Sequence, residues 1–269
     1  MQAEDNKTLE GSIAVVTGAA RSIGLACARR MAEQGATVVM TDIDSDEGRA
    51  RCEELKTAGL HVDFQSLDVA SEEGWQALLD HVLADYGRLD VLVNNAGVCL
   101  PSTLEELSFD DFKRMTSINV DGTFLGCRAA ILAMRKSATG EDAPIGSIIN
   151  IASIAGQTAI AGLGGYCTSK AAVTNMTKAL AIECAERREF IRVNSIHPGT
   201  VRSQMTETLY GAAYFDDPDN FSSVPLKDYA LPEDIADAAV YLASAEARLV
   251  TGSELTVDGG FTAGIGGEF

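Results

Sequence analysis

Ile13-Ala14-Val15-Val16-Thr17-Gly18-Ala19-Ala20-Arg21-Ser22-Ile23-Gly24 decides the fold. The apolar, β-branched run predicts a strand over 13–17, the small residues after it predict a tight turn, and a helix is expected from Ile23. A turn of this kind lets backbone N–H groups and the helix dipole meet a pyrophosphate. Gly18 permits the turn, and Gly24 lets the helix lie close to the strand. Taken alone, a glycine-rich turn also fits an ordinary loop. Its place in the first strand–helix unit gives it weight.

The same alternation continues outward from this stretch. Further strands are predicted at 37–41, 61–67, 89–93, 146–151, 190–196 and 254–257, and helices at 23–34, 46–58, 72–86, 109–136, 166–187 and 232–243. Seven strands alternating with helices predict an α/β protein with a doubly wound, seven-stranded parallel sheet and helices on both faces. At 269 residues, 46% of them hydrophobic, the chain can bury a large core without needing a second one, so one domain over 1–269 is expected. No repeat, low-complexity tract or Pro/Gly/Ser linker divides it. One connection stands out. Residues 202–229 are far longer than the roughly 2–6 residues usual between elements of an α/β unit. They carry Tyr210, Tyr214, Phe215, Phe221 and Tyr229. The segment reads as a substrate lid, with a plain surface excursion as the alternative.

Composition excludes several functions. No apolar run approaches the roughly 20 residues that span a bilayer, and the first ten residues lack a signal peptide's basic and apolar regions, so a cytoplasmic location is expected. Six scattered cysteines, without a C-x-x-C pair, and three histidines suggest neither a disulfide framework nor a metal site. The net charge of -18 disfavours nucleic acid and anionic membrane surfaces as partners. It reads as a solubilising surface, and a salt-adapted source would fit as well.

The carboxyl ends of the strands carry the candidate site. Asp42, at the end of the second strand, can accept hydrogen bonds from the adenosine ribose hydroxyls and would repel a 2′-phosphate, which favours NAD over NADP. Arg21 is a contrary charge, and Asp42 also fits a helix cap shared with Asp44 and Ser45. Asp68-Val69 ends the third strand and Asn94-Asn95-Ala96-Gly97 the fourth, so these residues converge on one crevice. Ser153 follows the fifth strand, and Tyr166-Cys167-Thr168-Ser169-Lys170 opens the next helix. Tyr166 and Lys170 share a helix face at i and i+4. A neighbouring ammonium favours phenolate and brings a phenol toward working range as a base, while a serine hydroxyl can hydrogen-bond a substrate oxygen. By themselves a Tyr and a Lys four apart are more often a packed ring and a solvated amine.

Together these residues resemble the short-chain dehydrogenase/reductase family across nearly the whole chain. The likeness runs from Thr17-Gly18 through Asn94-Asn95-Ala96-Gly97, Ser153, Tyr166/Lys170 and Pro198-Gly199 to Asp258-Gly259-Gly260. It implies a Rossmann fold and a catalytic tetrad of Asn119, Ser153, Tyr166 and Lys170. Asn119 would bend its helix and hold a water linking Lys170 to solvent, Lys170 would bind the nicotinamide ribose, and Tyr166 would exchange the proton with substrate. NAD would contact Gly18, Arg21, Ser22, Ile23 and Gly24, then Asp42, Asp68, Val69, Asn95, Ala96 and Gly97. The backbone from Pro198 through Gly199 to Val201 would meet the nicotinamide. Ser203, where the family commonly has Thr, would hold the carboxamide. Ser22 departs from the family's usual Gly and bears on cofactor affinity.

The implied activity is reversible hydride transfer between a secondary alcohol or ketone and NAD. The aromatic lid points to a bulky cyclic, aryl or steroid substrate, and residues 146–198 resemble bacterial hydroxysteroid dehydrogenases. Two alternatives stand beside it, a 3-oxoacyl thioester reductase and a non-catalytic dinucleotide sensor. Asp42 and the acidic charge argue against the first, and the intact tetrad against the second. His197 is expected to be structural, and Cys99 and Cys167 to be packing residues. The resemblance also implies a homotetramer, with helices 109–136 and 166–187 at one interface and the tail, 259–269, ordered at another or reaching a neighbour's site.

Overall fold

The computed structural model describes residues 7–137 and 146–264. All seven predicted strands form: β1 (Ile13–Thr17), β2 (Thr37–Asp42), β3 (Val62–Ser66), β4 (Val91–Asn94), β5 (Gly146–Ile151), β6 (Ile191–Pro198) and β7 (Glu254–Val257). They make one sheet in the order β3-β2-β1-β4-β5-β6-β7, with every neighbouring pair parallel. The chain order reverses between β1 and β4, so a crevice opens outside their carboxyl ends.

The inner strands are apolar at successive positions because both faces are covered. Ala14 and Val16 of β1 join Val38, Met40, Val93, Ile149 and Ile151 in a core shared with α1 (Ser22–Glu33), α2 (Ser45–Thr57) and α8 (Pro232–Ala243). Ile13 and Val15 turn the other way. They meet Val39, Leu92, Ile148 and Val193 under α3 (Glu72–Tyr86), α5 (Gly122–Ser137) and α6 (Gly164–Glu186). The period of two along each strand sorts one run of residues into two cores.

Three elements differ from the sequence reading. The helix expected over 109–136 is α4 (Phe109–Thr116) and α5 joined by a π-helical turn, Ser117–Asp121, which carries Asn119. Helix α6 starts at Gly164, two residues before Tyr166, so the tyrosine sits in its first turn. The sixth strand runs to Pro198, whose missing N–H is tolerated at a strand end. Residues 265–269 of the tail lie outside the described residues, as do 1–6. Among the described residues no helix is long and apolar enough to cross a membrane.

The long connection has structure of its own. Helix α7 (Gln204–Tyr210) and two short 3₁₀ turns, Ala212–Asp216 and Pro218–Phe221, surround a separate cluster of Phe215, Phe221 and Val224 with Tyr214 and Tyr229 packed against it. The segment closes where Val201 pairs with Ala230. Its base rests on the carboxyl-terminal turn, with the Leu226 N–H donating to the Gly259 carbonyl at 3.1 Å.

Two consequences are measurable. Ile149 is fully buried in the interior strand β5, so Ile149→Ala should cost about 2–5 kcal/mol and lower Tm by roughly 4–20 °C in calorimetry. A loss below about 1 kcal/mol would show that the site collapses around the cavity. Ser22 stands at the start of α1 with φ of 49°, in the left-handed region that favours glycine. Ser22→Gly should therefore raise stability by about 0.5–1 kcal/mol in urea unfolding. A destabilised variant would show that the serine hydroxyl, which accepts a 3.4 Å hydrogen bond from the Gln204 N–H at the head of α7, outweighs that strain.

Candidate active site

The β1 turn and the β4 turn are sewn together at the crevice. Thr17 Oγ1 accepts from the Asn95 and Ala96 N–H groups at 2.9 and 3.0 Å, and Asn95 Nδ2 donates to the Thr17 and Gly18 carbonyls at 2.9 and 3.1 Å. Gly18 has φ of 63°, and a Cβ there would stand 2.9 Å from Ala96 Cα. Gly24 is tighter still, since a Cβ would fall 2.1 Å from the Gly18 carbonyl oxygen. These contacts explain both glycines without reference to a ligand.

The start of α1, like those of α6 and α8, has no side-chain cap, and it alone opens at the crevice beside Asp42. Helices α2 and α3 are capped by the side chains of Asp44 and Ser71, and α7 by Ser203. Helix α1 has no side-chain cap and no acidic residue in its first turn. Its first-turn N–H groups, among them those of Ser22, Ile23 and Gly24, lack intrahelical acceptors and face the crevice with the helix's positive end. Ribose-binding chemistry lies beside them: Asp42 ends β2 and accepts from the N–H groups of Ala20 and Asp44, each at 3.0 Å. The cap of α2 is Asp44, whose Oδ1 accepts from the Glu47 N–H at 3.3 Å, so Asp42 is not that cap. An uncapped helix start for phosphates and a fixed carboxylate for ribose hydroxyls together fit a nicotinamide dinucleotide.

Arg21 is exposed and paired with Asp44, Nη2 to Oδ2 at 2.5 Å. That pairing had no signal in the sequence beyond the proximity of the first two turns. Asp68 is exposed after β3, while Val69 is buried and its carbonyl accepts from Trp75 Nε1 at 2.9 Å. Gly97 lies where a Cβ would come 3.2 Å from Asn119 Oδ1 and 3.6 Å from Lys170 Nζ, so the chain after β4 runs directly past these two side chains. At the far side, Pro198 ends β6, the Gly199 N–H donates to the Val257 carbonyl at 2.9 Å, and Val201 pairs with Ala230. The Ser203 hydroxyl is engaged in capping α7, accepting from the Thr206 N–H at 3.3 Å.

The four tetrad residues converge. Ser153 follows β5, and its Oγ accepts from the Ala155 N–H at 3.1 Å. Lys170 Nζ sits 5.7 Å from the centroid of the Tyr166 ring and donates to the Ile151 carbonyl at 2.8 Å. Asn119 is 1% exposed; its amide accepts from the Val98 N–H at 2.8 Å and donates to the Val98 carbonyl at 2.9 Å and Ser169 Oγ at 3.0 Å. The π turn places this amide so that it braces the strand exit at Val98.

Burial sets the electrostatics. It pushes the Tyr166 phenol well above the ordinary range, with a contact to the Ser153 hydroxyl offsetting part of the rise, and it pushes Lys170 down to about 8. The lysine therefore does not dominate the tyrosine as the i, i+4 spacing suggests: its ammonium is spent on a backbone carbonyl and is itself desolvated. Tyr210 of α7, not expected as a site residue, adds a small further push upward to the Tyr166 phenol. Its membership of an aromatic-rich connection was the available signal.

His197 is fully buried and has the structural role expected. Its Nδ1 donates to the Ser153 carbonyl at 3.0 Å, Nε2 accepts from the Ser195 hydroxyl at 2.8 Å, and burial lowers its pKa. Burial also raises the Cys99 thiol to about 11, which makes it a poor nucleophile at neutral pH. Among the described residues no group of three or more His, Cys, Asp or Glu side chains is arranged to hold a metal.

Residues 18–262 match the family model described as enoyl-(acyl carrier protein) reductase. The NADP-dependent (R)-specific alcohol dehydrogenase of Lentilactobacillus kefiri is 36% identical over 255 residues, 95% of this chain and 98% of that protein. The 3-alpha-(or 20-beta)-hydroxysteroid dehydrogenase of Mycobacterium bovis is 38% identical over 257 residues, 96% of this chain and 92% of that protein. In three dimensions, a short-chain type dehydrogenase/reductase from Mycobacterium marinum superposes with a TM-score of 0.87 at 34% identity, covering 97% of this chain and 99% of that one. With such identity over nearly the full length of each relative, on the same fold, the chain belongs to the short-chain dehydrogenase/reductase family.

Proposed function

We propose that this protein is an NAD-dependent oxidoreductase that interconverts a secondary alcohol and its ketone. The observation that carries the reading is the convergence of Ser153, after β5, with Tyr166 and Lys170 of α6 in a cleft beside an uncapped helix start. When bound, the nicotinamide supplies the hydride acceptor for oxidation and the donor for reduction. In oxidation, the Ser153 hydroxyl hydrogen-bonds the substrate oxygen, and the alcohol proton passes to the Tyr166 phenolate as hydride leaves the carbinol carbon. Lys170, still charged below about pH 8, favours that phenolate. Reduction returns the same proton from the phenol. In this reading Asn119 keeps its part in a water-linked path from Lys170, and Ser203 its contact with the carboxamide.

NAD is preferred over NADP because Asp42 is held at the ribose end and Arg21 is neutralised there, although the Lentilactobacillus relative is NADP-dependent. The lid, 202–229, favours a bulky hydrophobic substrate, cyclic, aryl or steroid. Tyr210 and Tyr214 stack with centroids 4.8 Å apart, with Phe215, Phe221 and Tyr229 packed beside Tyr214. A carrier-protein thioester fits the acidic surface poorly, because two acidic partners repel. A sensor would have no use for the assembled tetrad. Six free cysteines accord with a cytoplasmic enzyme.

A homotetramer is part of the same reading. Phe124, Leu132 and Ile182 are exposed on α5 and α6 beside a groove of about 210 Å³. Leu249, Tyr241 and Phe261 are exposed near α8 and β7. Ile182→Glu should convert the native assembly to a smaller species in light scattering after gel filtration; an unchanged mass would remove this face from the interface.

The pH profile tests the chemistry. Since burial raises Tyr166, its base form is scarce at neutral pH, so kcat/KM for alcohol oxidation should climb about tenfold per unit between about pH 6 and 8. Above about 8, Lys170 loses its charge and the climb should flatten. The measurement is NADH formation with a panel of cyclic, aryl and steroid secondary alcohols. A flat profile over that range, or full activity in Tyr166→Phe, would overturn the proton-transfer assignment.

A further inference from the structure

Two acidic residues, not one, stand at the ribose end of the crevice, and they do different work. Asp42 spends both carboxylate oxygens on backbone, accepting from the Ala20 N–H with Oδ2 and from the Asp44 N–H with Oδ1. Asp44 divides its oxygens. Oδ1 caps α2 through the Glu47 N–H, and Oδ2 holds Arg21 Nη2 at 2.5 Å. The pair joins the glycine-rich turn to the start of the second helix, and neither partner is buried: their side chains are 44% and 40% exposed. Arg21 is the cation of that turn, and a planar guanidinium is well suited to a phosphate. Its charge is already matched by Asp44, so a 2′-phosphate brought to this end would meet Asp42 and a neutralised pair.

We propose that Asp44 is a specificity-determining residue that withholds Arg21 from the 2′-phosphate of NADP, so that the chain's preference for NAD rests on Asp44 as well as on Asp42. This deepens the dinucleotide reading above and rests on it. Asp42 disfavours the phosphate by direct repulsion. Asp44 removes the one cation of the turn that would offset that repulsion, and it adds a second negative charge. The arrangement also gives the chain a short route to the other cofactor. An asparagine at 44 keeps the side-chain oxygen that caps α2, since Asn and Asp cap helices about equally well, and it removes the charge that holds Arg21.

The test is calorimetric titration of NAD and NADP, separately, into the unaltered protein, Asp44→Asn, and Asp44→Asn combined with Arg21→Ala, with Tm recorded for each. The expected result is that Asp44→Asn tightens NADP at least tenfold, equivalent to about 1.4 kcal/mol. NAD should shift far less, and the double variant should lose the gain. Because the pair is exposed, the gain should shrink as salt is raised. If NADP affinity is unchanged in Asp44→Asn while NAD still binds, the selector role is overturned and the dinucleotide reading survives. If the gain persists without Arg21, the charge of Asp44 acts by simple repulsion and the withholding of Arg21 is overturned. If neither nucleotide binds the unaltered protein, the dinucleotide reading falls and this inference falls with it.

Discussion

The close approach of the β1 turn to the β4 turn is the constraint on which the rest depends. Two adjacent strands at the reversal of the sheet leave their loops in contact, and this contact admits no side chain at Gly18 and no Cβ on Gly24. Four hydrogen bonds through Thr17 and Asn95 then fix the two loops to each other. The buried backbone groups of a parallel sheet end must find partners somewhere. Here they are satisfied by the side chains of Thr17 and Asn95, and the start of α1 is left open. The crevice exists because the turn is satisfied from behind.

A second tier of buried polar contacts carries that rigidity across to Ser153, Tyr166 and Lys170. Asn119 braces Val98, Lys170 is tied to the Ile151 carbonyl, and His197 holds the carbonyl of Ser153 from beneath. Each is a donor or acceptor placed against main chain, so the reacting groups are positioned by backbone that the sheet itself fixes. The same enclosure has an electrostatic cost. Water is removed from around a phenol and an ammonium, so both are driven toward their neutral forms. The i, i+4 spacing ensures that Tyr166 and Lys170 are neighbours, but desolvation governs how far each holds its charge.

The connection 202–229 stands apart from this rigid frame. Its aromatic residues form a third cluster that contributes to neither of the two sheet cores. It meets the start of α1 through the weak Ser22–Gln204 contact. A segment that carries its own small core can be varied without disturbing the sheet, which is how one fold serves many substrates.

The amino-acid sequence by itself determined the strands, their number and their parallel arrangement, and it placed Tyr166 and Lys170 on one helix face. Hydrophobic period, glycine punctuation and the Tyr166/Lys170 spacing are local properties that survive without knowledge of the fold. The long connection was legible as too long and too aromatic for a simple loop, though its helix α7 and its self-contained cluster were not. Tertiary structure alone decided the rest. The π turn at Asn119 interrupts what periodicity reads as one helix, because the amide must reach Val98. Whether Asp42 or Asp44 caps α2, where Arg21 spends its charge, and whether burial or a neighbouring ammonium sets the phenol's pKa all depend on distances between stretches of chain far apart in order. Such distances carry no trace in local pattern, because they arise only when the two turns and the two cores close on one another.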